Sequence, residues 1–163
     1  MKGFTLLEVM ISLVILSVLI AGIFGVLNIS DKTYHNDMGL LELQQQVRQA
    51  MDGMVKELKQ SKASSITISN AGARIDFKVP TDLTTSPVTY TSFIAYYRSG
   101  NQILREFPAG TTKVLANDIN ALTFSLTGNM LQVQLSAQQT VRQRVLTFPL
   151  TGFLTQKVRL RNE

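Results

Sequence analysis

Lys2-Gly3-Phe4-Thr5-Leu6-Leu7-Glu8, with the apolar run that continues from it to Leu27, decides how this chain is built. At 1.5 Å per helical residue, Phe4 to Leu27 is long enough to cross a hydrocarbon core of about 30 Å. Glu8 breaks the run. A carboxylate in a spanning helix costs on the order of 2.5–3.5 kcal/mol near the centre and less near an end, so a partner is expected for it. A secretory signal would have a shorter apolar core with a small-residue cleavage site after it. Here the small residue beside a basic one is Gly3, ahead of the apolar run. Lys2 on the same side favours a cytoplasmic N-terminus and an exported C-terminus.

The chain has 163 residues. About 130 remain beyond the span, enough for one modest core. With no cysteine, the outside domain is held by packing alone. From Leu40 to Ser61 the apolar positions Leu40, Leu43, Val47, Met51, Met54 and Leu58 recur at three- and four-residue spacing. Glu42, Gln45, Gln49, Asp52, Lys56 and Lys59 fill the other faces, which is the pattern of an amphipathic helix. No proline precedes Pro80, so this helix can continue from the span, reaching roughly 85 Å from Phe4 to Ser61 if unbroken. Gly22, Gly25 and Gly39 are its expected weak points. The stripe is too short for sustained heptads and reads as the seam for a covering sheet.

Beyond Ser61 the period becomes two. Ile66–Ile68 and Ile75–Val79 flank the turn-rich Asn70–Ala73, and Leu122–Thr127 and Leu131–Ser136 flank Gly128-Asn129, the clearest hairpin. Tyr90–Arg98 and Ile103–Phe107 form a second hairpin around Ser99–Asn101, with Val141–Phe148 and Gln156–Leu160 as last strands and Asp82–Pro87 as a loop. The expected class is α+β: a long N-terminal helix, half membrane span and half amphipathic, packed by an antiparallel sheet. The expected divisions are 1–3, a leader; 4–30, the spanning helix; 31–62, the amphipathic helix; and 63–163, the β-rich part.

The segment Gly3, Phe4, Glu8, with Thr-Leu-Leu between, resembles the class III leader of type IV pilins and type II secretion pseudopilins. The resemblance implies cleavage between Gly3 and Phe4 by a membrane prepilin peptidase and N-methylation of the new Phe4 amine. It also implies a pilin-like fold, assembly with other pilins or pseudopilins on an inner-membrane platform, contact with membrane lipid and no cofactor. The chain would be single-pass in the inner membrane and then incorporated into a pilus or pseudopilus. Two roles are open to Glu8: neutralising its own N-terminus one helical turn away, or pairing with the Phe4 amine of a neighbouring subunit and setting axial register. The second is preferred. More loosely, Gln44–Gln60, Tyr96–Arg105, Val114–Phe124 and Val158–Asn162 resemble the minor-pilin and pseudopilin J branch. Many major pilins close a C-terminal loop with a disulfide, which this chain has no cysteines to make.

Nothing in the pattern points to catalysis. His35, the one histidine, reads as a solvated interfacial residue, and the carboxylates, Asp82 and Asp118 among them, show no metal-ligand spacing. The formal charge of +5 is concentrated late: Arg142, Arg144, Lys157, Arg159 and Arg161 are opposed there only by Glu163. Arg142 with Arg144, and Arg159 with Arg161, are expected to share strand faces. Such faces would suit DNA phosphates or an anionic surface. A charged edge strand that blocks aggregation explains them more simply. The reading is therefore a non-enzymatic assembly subunit, a minor pilin or pseudopilin; the alternative is a fibre-displayed subunit that contacts DNA or a surface through its basic C-terminal strands.

Overall fold

A computed structural model describes residues 5–82 and 88–161. One α-helix, α1, covers Leu6–Leu58. The chain divides into two compact units, Met1–Met38 and Gly39–Glu163. In the first unit the apolar side chains of the helix, from Leu6 to Ile29, are exposed. The helix is long and apolar enough to cross a membrane, and none of its most hydropathic window is buried. So large an apolar surface is stable only against lipid or other apolar helices. No break occurs at Gly22 or Gly25, where the backbone stays helical.

In the second unit, Leu43, Val47, Ala50, Met51, Met54, Val55 and Leu58 of α1 are buried. That is the amphipathic stripe read from the sequence, with Leu40 half-buried at its margin. The β part is two main sheets. The first has β1 (Thr67–Ser69), β2 (Arg74–Phe77), β5 (Ile94–Ser99), β6 (Gln102–Glu106) and β7 (Thr112–Ala116) in the spatial order β1-β2-β5-β6-β7, each pair antiparallel. Between β2 and β5 the chain makes an excursion, the small pair β3 (Pro80–Asp82) and β4 (Thr89–Tyr90). The second sheet is built on β9 (Met130–Val141), which pairs with β8 (Ile119–Thr127), β10 (Arg144–Phe148) and β11 (Leu154–Arg159).

Register fixes how those last strands lie. Ala137 pairs with both Ile119 and Phe148, so β8 and β10 occupy opposite edges of β9. β11 follows β10 along the same edge, since Phe148 faces Ala137 and Leu154 faces Leu135. Residues Pro149 to Phe153 therefore oppose only Ser136 and are pushed out as a loop, where Leu150 is 83% exposed. Inward-facing Ile75, Phe77, Tyr96 and Ile103 of the first sheet and Phe124, Leu131, Val133 and Leu135 of the second join the helix stripe in one core. The sheets meet where Gly72 (φ +91) comes against β8: a Cβ there would lie 3.0 Å from the Phe124 carbonyl oxygen. Gly39 has a similar purpose, since its Cβ would lie 3.0 Å from Val141 Cγ2. The expected weak point is a close approach of helix to sheet.

The chain's end ties back to the end of the helix. Arg161 N–H donates to the Ser61 carbonyl at 3.1 Å, and Lys62 and Arg161 form a parallel bridge. Ser61 is fully buried, with its hydroxyl donating to the Leu58 carbonyl at 2.7 Å.

Candidate functional site

Helix α1 begins with a reciprocal cap. The Thr5 backbone N–H donates to Glu8 Oε2 at 3.0 Å and the Thr5 hydroxyl to the same oxygen at 3.1 Å. In return the Glu8 N–H donates to Thr5 Oγ1 at 3.3 Å. This is a capping box, a Thr followed three residues later by a Glu, each satisfying a backbone donor that the first helical turn leaves open. The signal is present in the sequence as Thr5-Leu6-Leu7-Glu8, the three-residue spacing of a capping box, inside the stretch that resembles a leader. Glu8 therefore has a partner within its own chain, while Oε1 makes no hydrogen bond among the described residues. Gly3 and Phe4, the expected cleavage and methylation positions, lie outside the described residues. Further along, His35 Nε2 lies 3.3 Å from Asp31 Oδ1, both side chains about half exposed, an ordinary one-turn surface pair.

The basic residues of the C-terminal strands need a correction. Arg142 does not share a strand face with Arg144. Arg142 (φ +45) and Gln143 (φ +69) are the two loop residues between β9 and β10, both in the left-handed region. A two-residue hairpin of this hand matches the twist of the flanking strands, and it ends β9 where a continuous strand from Val141 was expected. Arg144 pairs with Val141 and Arg159 with Met130, at opposite ends of β9. At about 3.3 Å per residue they lie roughly 36 Å apart. Arg159 and Arg161 do alternate with buried Val158 and Leu160. The four arginines thus form two separate groups, not one stripe. Asp118 accepts from Asn101 Nδ2 at 3.4 Å, and among the described residues no group of three acidic or histidine side chains is placed to hold a metal ion.

Residues 1–24 match the family model for the prokaryotic N-terminal methylation motif. The matched stretch includes Gly3, Phe4, the capping box and most of the exposed apolar helix. It supports a likeness to type IV pilins and pseudopilins, for which the motif implies prepilin peptidase processing and assembly with other pilins, and the exposed apolar helix fits a membrane anchor. No curated protein and no solved structure matches the chain.

In this pilin-like chain the strongest polar constellation locks helix to sheet. The Tyr96 hydroxyl donates to Glu57 Oε2 at 2.7 Å, and Arg105 Nε donates to both Glu57 oxygens at 3.2 and 3.1 Å. Burial and the Glu57 hydrogen bond push the Tyr96 phenol well above its ordinary pKa. Burial works against the Arg105 charge, but the hydrogen bond and attraction of Glu57 outweigh it and raise its pKa. On the sheet's other face Arg74 donates to Asp76 at 2.8 Å and to Glu106 at 3.3 Å, and its guanidinium stacks 4.9 Å above the Tyr97 ring. Neither cluster was visible in the sequence, since Glu57 and Arg105 are 48 residues apart and only strand pairing brings them together.

Proposed function

We propose that this chain is a minor pilin or pseudopilin, a structural subunit that helps initiate, cap or assemble a type IV pilus or type II secretion pseudopilus. Prepilin peptidase removes residues 1–3 and Phe4 becomes the methylated N-terminus. Residues 4–30 hold the subunit in the inner membrane and later pack in the fibre; residues 31–62 and 63–163 make up the exported part. The observation that carries this reading is a helix whose most hydropathic window has no buried residue, headed by a methylation motif. Among the described residues Glu8 Oε1 has no hydrogen bond, which suits a bond to the Phe4 amine of a neighbouring subunit while Oε2 caps its own helix. The resemblance of Tyr96–Arg105 and Val158–Asn162 to the J branch favours a minor subunit.

The alternative, a fibre-displayed subunit contacting DNA or a surface through Arg142, Arg144, Arg159 and Arg161, is carried less far. A continuous polyanion would have to span two groups at opposite ends of β9. Intact mass and N-terminal sequencing of protein from membranes with and without prepilin peptidase test the main reading. A peptidase-dependent loss of Met1 to Gly3 with a methyl group on Phe4 is expected. An intact start in a strain with active peptidase rules it out.

A further inference from the structure

One pocket in the unit Gly39–Glu163 brings two lysines together with two aromatic rings. It has a volume of about 340 Å³ and is lined by Lys62, Ser64, Thr67, Lys78, Tyr90 and Phe93, with no carboxylate among the described lining residues. Lys62 follows the end of α1, Lys78 follows β2, and Tyr90 ends β4, so three separate elements converge. Both lysines are half-buried, and neither has an ion pair among the described residues. Aromatic faces hold them instead: Lys62 Nζ lies 5.7 Å from the Tyr90 ring centre and Lys78 Nζ 4.5 Å from that of Phe93. A ring quadrupole positions an ammonium without cancelling its charge. The Tyr90 hydroxyl is buried and has no hydrogen-bond partner among the described residues. Such orphans are rare in folded chains, and each calls for an explanation.

Two half-buried lysines line one pocket with no carboxylate paired to either among the described residues, an arrangement that favours an anion. The ammoniums and the Ser64 and Thr67 hydroxyls are hydrogen-bond donors, as a tetrahedral oxyanion requires, and the buried Tyr90 phenol in the wall has a donor still to place. We infer that this pocket binds a phosphoryl group. Its volume falls in the range of small-molecule sites and exceeds what inorganic phosphate alone would fill. Phe93, 51% exposed, adds an apolar surface beside Lys78 for the body that carries the phosphate. Nothing in this assignment depends on fibre assembly, and the two readings fail separately.

The test is calorimetric titration of the full chain in detergent micelles, in chloride buffer, with inorganic phosphate and with adenosine monophosphate. Both are expected to bind, the ester more tightly if the natural source is an organic phosphate and equally if it is free phosphate. Lys62→Gln and Lys78→Gln should each weaken binding by about tenfold or more, the loss of one charge-assisted hydrogen bond. Tyr90→Phe should weaken it less, Lys62→Arg should restore it, and Lys113→Gln on β7 should leave it unchanged. Thermal melts of each variant separate lost binding from lost folding. Absence of binding by both probes overturns the assignment. So does binding that survives both lysine variants, or that is lost instead on Arg142→Gln and Arg144→Gln.

Discussion

At the scale of single residues, Glu8 serves two separable purposes. Capping needs only an acceptor oxygen, whereas pairing with a neighbour's amine needs the charge. Glu8→Gln keeps the first and removes the second, and Glu8→Ala removes both. If pairing sets register, both variants should be absent from sheared fibres while remaining in the membrane; incorporation of the Gln variant at wild-type level would leave only the cap. Thr5→Ala should cost about 1 kcal/mol of helix stability and give a milder assembly defect. Tyr96 makes a different prediction. Its phenol pKa is raised in the folded chain, so above the ordinary tyrosine value of about 10 the unfolded chain loses a proton that the folded chain keeps. The folded state then binds more protons, and stability must fall as pH rises from there. Urea midpoints measured across that range should drop for the wild type and drop less for Tyr96→Phe. That variant should also lose about 1–2 kcal/mol at neutral pH, because Glu57 is left with one partner fewer.

At the scale of elements, the helix and the β8–β9 hairpin were legible, and the edges were not. Period-3.6 and period-2 patterns report a face buried along a whole element, which α1 from Leu43 to Leu58, β8 and the first half of β9 have. The second half of β9, Ala137-Gln138-Gln139-Thr140-Val141, has too few apolar positions to alternate and is a strand because β10 pairs with it. β7 was missed for a related reason: Thr112, Lys113 and Val114 are all exposed on an edge strand. Met54, fully buried at the helix–sheet seam, should cost about 2–5 kcal/mol on truncation to Ala in urea unfolding. Gly72 and Gly100 allow a controlled comparison. Both have positive φ, but a Cβ at Gly100 meets nothing within 4 Å. Each change to Ala should carry the left-handed strain of about 1–2 kcal/mol, and Gly72→Ala should be worse by the displacement of β8. Equal losses would mean that the seam between the sheets yields freely.

At the scale of the whole molecule, the chain joins one unit whose apolar surface is all exposed to another whose apolar surface makes a core. The first is incomplete without lipid or neighbouring helices, and the second is self-sufficient. Detergent or lipid should therefore be needed to keep the full chain soluble, and the hydrogen-exchange protection of residues 43–58 should exceed that of its loops. In a fibre the exposed helix has somewhere to go.

The sequence by itself determined the long apolar helix, the N-terminal methylation motif, the amphipathic stripe and the α+β class. Each depends on residues close together in the chain: hydropathy over one span, a short motif, or the period of one element. Tertiary structure decided what depends on distant residues meeting. Strand register divided the C-terminal arginines into two groups. Pairing of β6 with β5 against the helix joined Arg105 and Tyr96 to Glu57, and the β3–β4 excursion brought Tyr90 to Lys62. Such meetings leave no trace in local pattern, because the partners are fixed by which strand lies beside which and by how far each is shifted along it.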